Sequence, residues 1–344
     1  MYKFSRDLGV DLGTANVLIY ADGKGIVLRE PAVVAVDKNT GNVIRVGSEA
    51  RSMMGRTPVN VEAVRPLRGG AISDYDMTEK LLSGLMRKAV GYSLVKPRVV
   101  ISVPSGITEV EERAVIQAAI EAGARRAYLL EEPLAAALGA ELDISEAKGR
   151  MVVNIGGGVT DIAVISMNNV ATSSSVRAGG DSFDAAVVQY VRKHYSILIG
   201  ESAAEEVKIA IGGVAEREEP LTMQVKGRDL KTGLPREETV TSTELFEAFK
   251  RPLRVIMDEI LSVLEQTAPE LVSDLTETGI LLTGGGSQLY GMAETISQRT
   301  EIPCRVADDP DACVVLGCGK SLKWLSSMQE GTVNLARRKI MREQ

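Results

Sequence analysis

The sequence predicts an α/β protein made of two similar halves, each of which begins with a β-hairpin that turns on glycine. Apolar strands alternate with amphipathic helices along the chain, an order typical of mixed or parallel sheets flanked by helices. A strand ends in an acidic or amide residue, followed by Gly and Thr, at Asp11 and again at Asn154, which indicates a duplicated plan. The 344 residues leave room for about two domains.

Composition narrows the classes of protein and partner. Apolar residues make up 44% of the chain and aromatic residues only 4%, so aliphatic side chains must build the core. The net charge of −6 argues against nucleic acid as the main partner. Three cysteines without CxxC spacing fit a reduced, cytosolic protein better than a disulfide framework or a zinc site. No apolar run is long enough for a membrane span and no signal-peptide pattern begins the sequence, so we expect any membrane contact to be peripheral.

Elements of the first half follow from apolar runs, caps and turns. Short strands and turns between Gly25 and Asp74 predict a small inserted lobe. Thr108 and Glu111 form a capping-box pattern, which predicts a helix that ends at Gly123. The other predicted elements are hairpin strands at Asp7–Val10 and Val17–Tyr20, a helix at Met77–Val90, strands at Val99–Val103 and Tyr128–Leu130, and a helix at Leu134–Leu142.

The second half is predicted in the same way. Ser202 and Glu205 form a second capping-box pattern, which predicts a helix that ends at Ile211. Pro252 lies inside the long helical stretch Thr243–Thr267 and should kink or split it. The other predicted features are a helix at Asp181–Tyr195, a polar, turn-rich insertion at Gly213–Thr241, a strand at Ile280–Thr283, and an apolar segment at Asp311–Leu325 whose Gly317-Cys318-Gly319 favours close helix packing.

The stretch Arg150–Ser166, RMVVNIGGGVTDIAVIS, carries the clearest chemistry. Three consecutive glycines at a hairpin tip leave backbone N–H groups uncovered, and this concavity suits an anion, above all a phosphate. Thr160 and Asp161 add a hydroxyl and a carboxylate, groups that position water or a hydrated metal ion. An ordinary glycine-rich turn is the alternative interpretation of this stretch alone.

Two further glycine-rich loops end strands, at Asp11–Asn16 and at Gly284–Ser287. Open α/β sheets bind ligands outside strand ends, so we expect the three loops to meet in one cleft. Two would hold phosphates from opposite sides, and the third would lie behind a base or ribose. The sequence has no GxxxxGK[ST], which excludes a P-loop NTPase, and no GxGxxG followed by a helix supports a dinucleotide fold.

This ordered set of motifs resembles the MreB family of bacterial actins, in the superfamily of actin, the Hsp70 ATPase domain and sugar kinases. The resemblance runs from Arg6 to about Trp324 and includes DLGTANVLIY, GKGIVLREPAVVAVD, VGSEARSMMGRTP, EEPLAAALG, NIGGGVTD and LLTGGGS. It implies an α/β, actin-like fold of duplicated, ribonuclease H-like ATPase domains, with four subdomains around a cleft that binds ATP and Mg²⁺. The implied subdomains are IA (1–32, 75–144 and 314–344), IB (33–74), IIA (145–181 and 243–313) and IIB (182–242).

The resemblance also implies roles for individual residues. Asp11 and Asn154 would face the hydrated Mg²⁺, and Glu132 would orient or activate the attacking water, with Thr160 as a second catalytic residue. The alternative for Glu132 is a helix N-terminal acid favoured by the helix dipole, and the alternative for Glu205 is its capping box. The phosphates would be held by Gly13, Thr14, Ala15, Asn16, Gly156, Gly157, Gly158 and Val159. The nucleoside would be lined by Gly285, Gly286, Ser287 and Gln288, with Glu205, Glu206, Val207 and Lys208 against base and ribose.

Two residues depart from the family pattern, which has Asp in place of Asn154 and Thr in place of Val159. An amide removes the negative charge of a carboxylate and keeps a hydrogen-bonding shape. The missing Thr is the usual partner of the glutamate in holding water, although eukaryotic actin carries Val at the corresponding point. We therefore expect ATP binding to survive and ATP hydrolysis to be slowed.

The resemblance finally implies a cytoskeletal role. Filaments of this family are homopolymers, expected here as paired protofilaments, that lie at the inner face of the cytoplasmic membrane. There they direct cell-wall synthesis and rod shape with cell-wall elongation proteins. Ser93 and Leu94 match the apolar loop that can insert into the bilayer; the contact is weak for one subunit and is multiplied in a polymer. A soluble metabolite kinase or a chaperone-type ATPase of the same superfamily is the alternative.

Overall fold

A computed structural model describes residues 7–91 and 95–326, so the predicted membrane residues Ser93 and Leu94 lie outside the described ranges. The elements of the first half are β1 (Leu8–Leu12), β2 (Asn16–Ala21), β3 (Gly25–Pro31), β4 (Val34–Asp37), β5 (Val43–Val46), α1 (Ser48–Arg51), β6 (Val61–Val64), β7 (Leu67–Arg68), β8 (Ala71–Ile72), α2 (Tyr75–Val90), β9 (Arg98–Val103), α3 (Glu109–Glu121), β10 (Arg126–Glu131) and α4 (Glu132–Gly139).

The second half repeats the mixture of strands and helices. Its elements are β11 (Arg150–Ile155), β12 (Thr160–Ser166), β13 (Asn169–Val176), α5 (Gly180–Tyr195), β14 (Ile197–Leu198), α6 (Glu201–Ile211), β15 (Thr222–Asp229), β16 (Pro235–Thr241), α7 (Ser242–Gln266), α8 (Pro269–Thr278), β17 (Ile280–Thr283), a 3₁₀ turn at Gly285–Gln288, α9 (Met292–Thr300), β18 (Cys304–Val306), α10 (Cys313–Ser321) and a 3₁₀ segment at Leu322–Ser326.

The two large sheets have the same topology, which confirms the predicted duplication. Their strand orders are β10-β9-β1-β2-β3 and β18-β17-β11-β12-β13. In each sheet an antiparallel meander of three strands is followed by two strands parallel to its first strand. The first strand of each half therefore lies at the centre of its sheet, and the turn that follows it opens at the same edge in both halves.

Helices α4 and α10 join the two sheets through a shared apolar core. One buried cluster contains Val100 and Leu130 from the first sheet, Val152 from the second, and alanines of α4. A β-carbon added at Gly317 of α10 would lie 1.8 Å from the carbonyl oxygen of Ala135 in α4. The close helix packing predicted for this glycine is therefore confirmed, and it holds the halves together beside the loops.

Each half also carries a small three-stranded sheet, β5-β4-β6 in the first and β14-β15-β16 in the second. Strand β3, which falls in the stretch assigned to the first lobe, belongs to the large sheet instead. Residues 213–241 were predicted to be turn-rich, but they contain the β15–β16 hairpin. Most positions of this hairpin are exposed or half-buried, so its sequence is polar and lacks the apolar alternation of a half-buried strand.

The helix caps divide into one confirmed and one wrong prediction. Thr108 and Glu111 form the predicted capping box at α3. Helix α6 begins at Glu201, with Gly200 as its N-cap and no side-chain cap, so the capping box of Ser202 and Glu205 is wrong. Because the helix starts one residue before Ser202, Glu205 lies too far along it to bond the N-cap backbone.

Helix α7 runs without interruption through Pro252, so the helix is not split there, and the alternative of a kink stays a prediction. Proline removes one backbone donor from the helix interior. Phe249, Pro252 and Ile256 are all buried along one face of the helix, and this packing offsets the missing hydrogen bond. The capping box that starts the helix is formed by Thr241 and Glu244.

Candidate functional site

Two glycine loops, one from each half of the chain, lie against each other, and both line a cavity of about 300 Å³. The β1–β2 turn supplies Thr14 and Ala15, and the β11–β12 turn supplies Gly157 and Gly158. A β-carbon at Gly157 would lie 2.7 Å from Ala15 Cβ, and one at Gly158 would lie 2.7 Å from Thr14 Oγ1. Only glycine allows the two loops to approach this closely. Because glycine has no side chain, backbone N–H groups from both halves of the chain remain accessible beside the cavity.

Many of the residues predicted for the site do line this cavity. They are Asp11, Gly13, Thr14, Ala15, Asn16, Glu132, Asn154, Gly156, Gly157, Gly158, Val159 and Gly285. Sequence reasoning missed the rest of the lining, namely Leu12, Leu18, Arg29, Gly70, Gly284, Pro310, Asp311 and Val314. Leu12 and Gly284 lie inside the predicted loops Asp11–Asn16 and Gly284–Ser287, although neither residue was assigned a contact with the ligand. Arg29 and Asp311 have no local motif that marks them.

The other predicted residues lie outside the lining; they are Thr160, Glu205, Glu206, Val207, Lys208, Gly286, Ser287 and Gln288. The buried hydroxyl of Thr160 donates to the carbonyl of Ala178, two residues after the end of β13, at 2.7 Å. The side-chain amide of Gln288 donates to Asp311 Oδ2 at 3.2 Å, so it touches a residue of the lining. The third glycine loop therefore reaches the cavity through its first residues, Gly284 and Gly285. Its end contacts the cavity lining through the bond from Gln288 to Asp311.

Two charged residues of helix α6, Glu205 and Lys208, form ion pairs. Glu205 pairs with Arg51 at the end of α1, which connects β5 and β6 of the small first-half sheet, and this contact takes the place of the predicted capping box. Lys208 Nζ lies 2.9 Å from Asp184 Oδ1. Val207 is buried in the core. The α6 residues predicted to contact base and ribose thus lie beside the cleft, with Glu205 directed toward the other half of the chain.

Further contacts close the cleft on the same side. Arg65 Nη1 lies 3.2 Å from Asp181 Oδ1, and the backbone N–H of Gly70 donates to Thr14 Oγ1 at 3.1 Å. A β-carbon at Gly70 would lie 2.5 Å from Val159 Cγ2. The small first-half lobe therefore rests directly on the second glycine loop.

Carboxylates with raised pKa values lie next to the glycine loops. Withdrawal from water raises the pKa of Asp11 to about 7, although its carboxylate accepts a hydrogen bond from the Ser102 hydroxyl at 3.0 Å. Burial raises the pKa of Asp161 to about 7 as well. Burial, and then the charges of Asp161 and Asp11, raise the pKa of Glu132 well above its ordinary value. This concentration of negative charge favours a bound cation.

Asn154 links this cluster to the third loop. Its side-chain Nδ2 donates to Glu132 Oε2 at 2.8 Å, and its Oδ1 accepts a hydrogen bond from the Thr283 hydroxyl at 3.0 Å. The two bonds fix the orientation of the amide. A deprotonated carboxylate could not donate to Glu132, so the amide changes what this position does for its neighbour.

The donor set fits a hydrated Mg²⁺ better than a direct protein cage. Mg²⁺ prefers oxygen ligands, keeps several waters, and is usually held by one or two carboxylates together with substrate phosphates. Within residues 7–91 and 95–326, no group of three or more His, Cys, Asp or Glu side chains is arranged to hold a metal ion. Asp11 offers a carboxylate beside the glycine loops, and the oxygen of Asn154 already accepts from Thr283.

None of the helices in the described part of the chain is long and apolar enough to cross a membrane.

Comparisons with known proteins agree with this architecture. The family model described as MreB/Mbl protein matches residues 5–330. The cell shape-determining protein Mbl of Bacillus cereus is 47% identical over 321 residues, which is 93% of this chain and 96% of the relative. The cell shape-determining protein MreB of Escherichia coli K12 is 48% identical over 328 residues, which is 94% of each.

Solved structures give the same result for the fold. MreB5 of Spiroplasma citri bound to AMPPNP matches with a TM-score of 0.89 at 34% identity, over 95% of this chain and 98% of that one. MamK in a double helical filament matches with a TM-score of 0.78 at 21% identity, over 94% of this chain and 99% of that one, and supports the fold alone. The predicted actin-like fold is confirmed.

Proposed function

The chain belongs to the MreB/Mbl family, and we propose that it is an ATP-binding bacterial actin that polymerises into filaments and determines cell shape. One observation carries this proposal: the glycine loops of both halves meet and line one cavity, where backbone N–H groups from both loops can hold a polyphosphate. The relative from Spiroplasma citri is solved with AMPPNP and with ADP. The curated relatives are named for cell shape.

In this proposal the nucleotide lies between the four subdomains that the resemblance implies. Backbone from the β1–β2 and β11–β12 turns holds the phosphates, and Asp11 faces a hydrated Mg²⁺. The nucleoside lies toward Gly285 and Gln288. Glu205 and Lys208 are engaged in ion pairs, so contact with base or ribose requires the Arg51–Glu205 pair to open.

Glu132 is the proposed group that orients or activates the attacking water, and Mg²⁺ would neutralise charge on the phosphates. Glu132 lies in the first turn of α4 and lines the cavity, so its roles as a helix N-terminal acid and as a site residue are compatible. Burial and the charges of Asp161 and Asp11 raise the pKa of Glu132 in the nucleotide-free protein, and a bound cation would act in the opposite direction. Asn154 and Val159 stand where the family pattern has Asp and Thr, and these two substitutions support the proposal of slowed hydrolysis.

We further propose that the filaments are paired protofilaments at the inner face of the cytoplasmic membrane, where they guide cell-wall synthesis. The proposed contact is the pair Ser93 and Leu94 with its neighbours in the sequence. One subunit binds weakly through so short a segment, and a filament multiplies that affinity by its valency. Co-sedimentation with liposomes should fall for Leu94→Ser filaments, and an unchanged bound fraction would remove this segment from the proposal.

The experiment that tests the whole proposal is electron microscopy of the purified protein with ATP, Mg²⁺ and lipid vesicles, together with light scattering after ATP addition. Filaments and a rise in scattering that both need nucleotide are the expected result. A protein that binds ATP and stays monomeric at all concentrations would instead favour a metabolite kinase or a chaperone-type ATPase.

A further inference from the structure

The cavity between the glycine loops is lined by several carboxylates and a single cationic side chain. Asp11, Glu132 and Asp311 contribute the carboxylates. Among the residues that the structure describes, Arg29 is the only lysine or arginine in the lining. A nucleotide polyphosphate adds more negative charge to the cavity. A guanidinium at this place can neutralise part of that charge, whereas the uncharged glycine backbone can only donate hydrogen bonds.

The register of the first sheet directs Arg29 toward the cavity. Arg29 of β3 pairs directly with Leu18 of β2, and Leu18 also lines the cavity. Directly paired residues place their side chains on the same face of a sheet. Alternation along the strand sends the next residue, Glu30, to the opposite face, where it pairs with Lys88 at 3.2 Å. The position of Arg29 is therefore set by the backbone.

Arg29 is held loosely by an acidic residue at the edge of the cavity. Its Nη2 lies 2.8 Å from Asp309 Oδ2, and the two side chains are 48% and 57% exposed. Ion pairs with this much exposure contribute little to stability, so they exchange partners at small cost. Asp309 itself does not line the cavity. A phosphate that enters the cavity would compete with Asp309 for the guanidinium.

We propose that Arg29 is a phosphate-binding residue of the nucleotide site, and that it exchanges Asp309 for the phosphate chain when ATP binds. This assignment rests on the proposed ATP site. Arginine suits the role because its planar, permanently charged group can make two parallel hydrogen bonds to phosphate oxygens. Asp309 then acts as a competing anion that lowers the affinity for nucleotide.

The test measures dissociation constants of ATP and adenosine, each with Mg²⁺, on full-length protein below its polymerisation concentration. Arg29→Gln should weaken ATP binding about tenfold, the size expected for one charge-assisted hydrogen bond, and leave adenosine unchanged. Asp309→Asn should tighten ATP binding, because it frees the guanidinium. Arg113→Gln is the matched control, since Arg113 forms an exposed pair with Glu109 on α3, outside the cavity lining.

The opposite signs expected for the two variants separate ligand binding from a purely structural role. If Arg29 only ties β3 to the Asp309 segment, both variants will weaken ATP and adenosine alike and lower the unfolding temperature together, and the assignment is wrong. The assignment is also wrong if the wild type binds ATP and the Arg29→Gln protein binds it as tightly as the Arg113→Gln control. A wild-type protein that fails to bind ATP at all overturns the proposed function instead, before any variant is compared.

Discussion

Replacement of Asn154 by aspartate is the sharpest test of the acid cluster. Asn154 is 3% exposed, and its amide nitrogen lies 2.8 Å from Glu132 Oε2. The substitution removes this hydrogen bond and places a second carboxylate against Glu132. Two full charges at that separation repel by roughly 6 kcal/mol at an effective dielectric constant of about 20, and uptake of one proton relieves most of this repulsion.

We therefore expect nucleotide-free Asn154→Asp protein to lose about 2 to 4 kcal/mol of unfolding free energy near neutral pH. The loss should shrink toward about pH 5, because the paired carboxyls then keep their shared proton in the folded state. Denaturant unfolding at both pH values measures it. Asn60→Asp, the same chemical change at an exposed position, is the control and should change stability by less than about 0.5 kcal/mol.

The same variant tests the proposed slow hydrolysis. With Mg²⁺ and ATP bound, the new carboxylate lies where the family pattern has Asp, and the cation offsets its charge. Phosphate release per filament subunit should then rise several-fold above the wild-type rate. A wild-type rate that equals the rate of a relative with Asp and Thr at these positions, and that Asn154→Asp does not raise, would contradict the proposal of slowed hydrolysis.

Three further predictions concern packing and pH. Gly157→Ala forces the glycine loops apart and should weaken ATP binding at least tenfold in a fluorescence titration. Gly200→Ala, whose β-carbon would lie in open space, is the control and should leave ATP binding unchanged. Equal ATP affinities of the two variants would contradict phosphate binding by the glycine loops. Gly317→Ala should lower the unfolding free energy by about 3 kcal/mol or more, because its β-carbon would overlap the backbone carbonyl of Ala135. A loss below about 1 kcal/mol in urea unfolding would be inconsistent with the close packing of α4 and α10. Burial raises the pKa of Asp11 and Asp161 from 3.8 to about 7, so the nucleotide-free fold keeps protons that the unfolded chain releases. Their contribution to stability should therefore fall as pH rises from about 4 to 7. The difference in urea midpoint between the wild type and the Asp161→Asn variant measures it, and a difference that stays constant over this range would contradict it.

Several features could be read from the sequence because short-range chemistry determines them. The ends of helix α3 at Thr108 and Gly123 depend on residues within one helical turn of each other. The strand that ends at Thr283 is a short apolar run that stops at glycine. The glycine loops at Asp11 and Gly156 are visible as repeated local patterns, and their repetition was enough to predict two matching halves.

Side-chain partners could not be read in this way, because sheet register and the approach of the two halves decide them. Glu205 had a plausible local partner in Ser202, yet the fold pairs it with Arg51, more than a hundred residues away. Arg29 has no motif, and only its pairing with Leu18 places it at the cavity.

Local residue patterns therefore establish the duplicated α/β plan and the glycine backbone of the site. Which charges surround that backbone depends on how distant segments of the chain pack together. The hydrogen bonds of Asn154 to Glu132 and Thr283 arise where α4, β11 and β17 meet, and no local pattern encodes that meeting. A turn needs only its own few residues to take its shape, whereas an ion pair or a pKa depends on whatever the packed chain brings within a few ångströms.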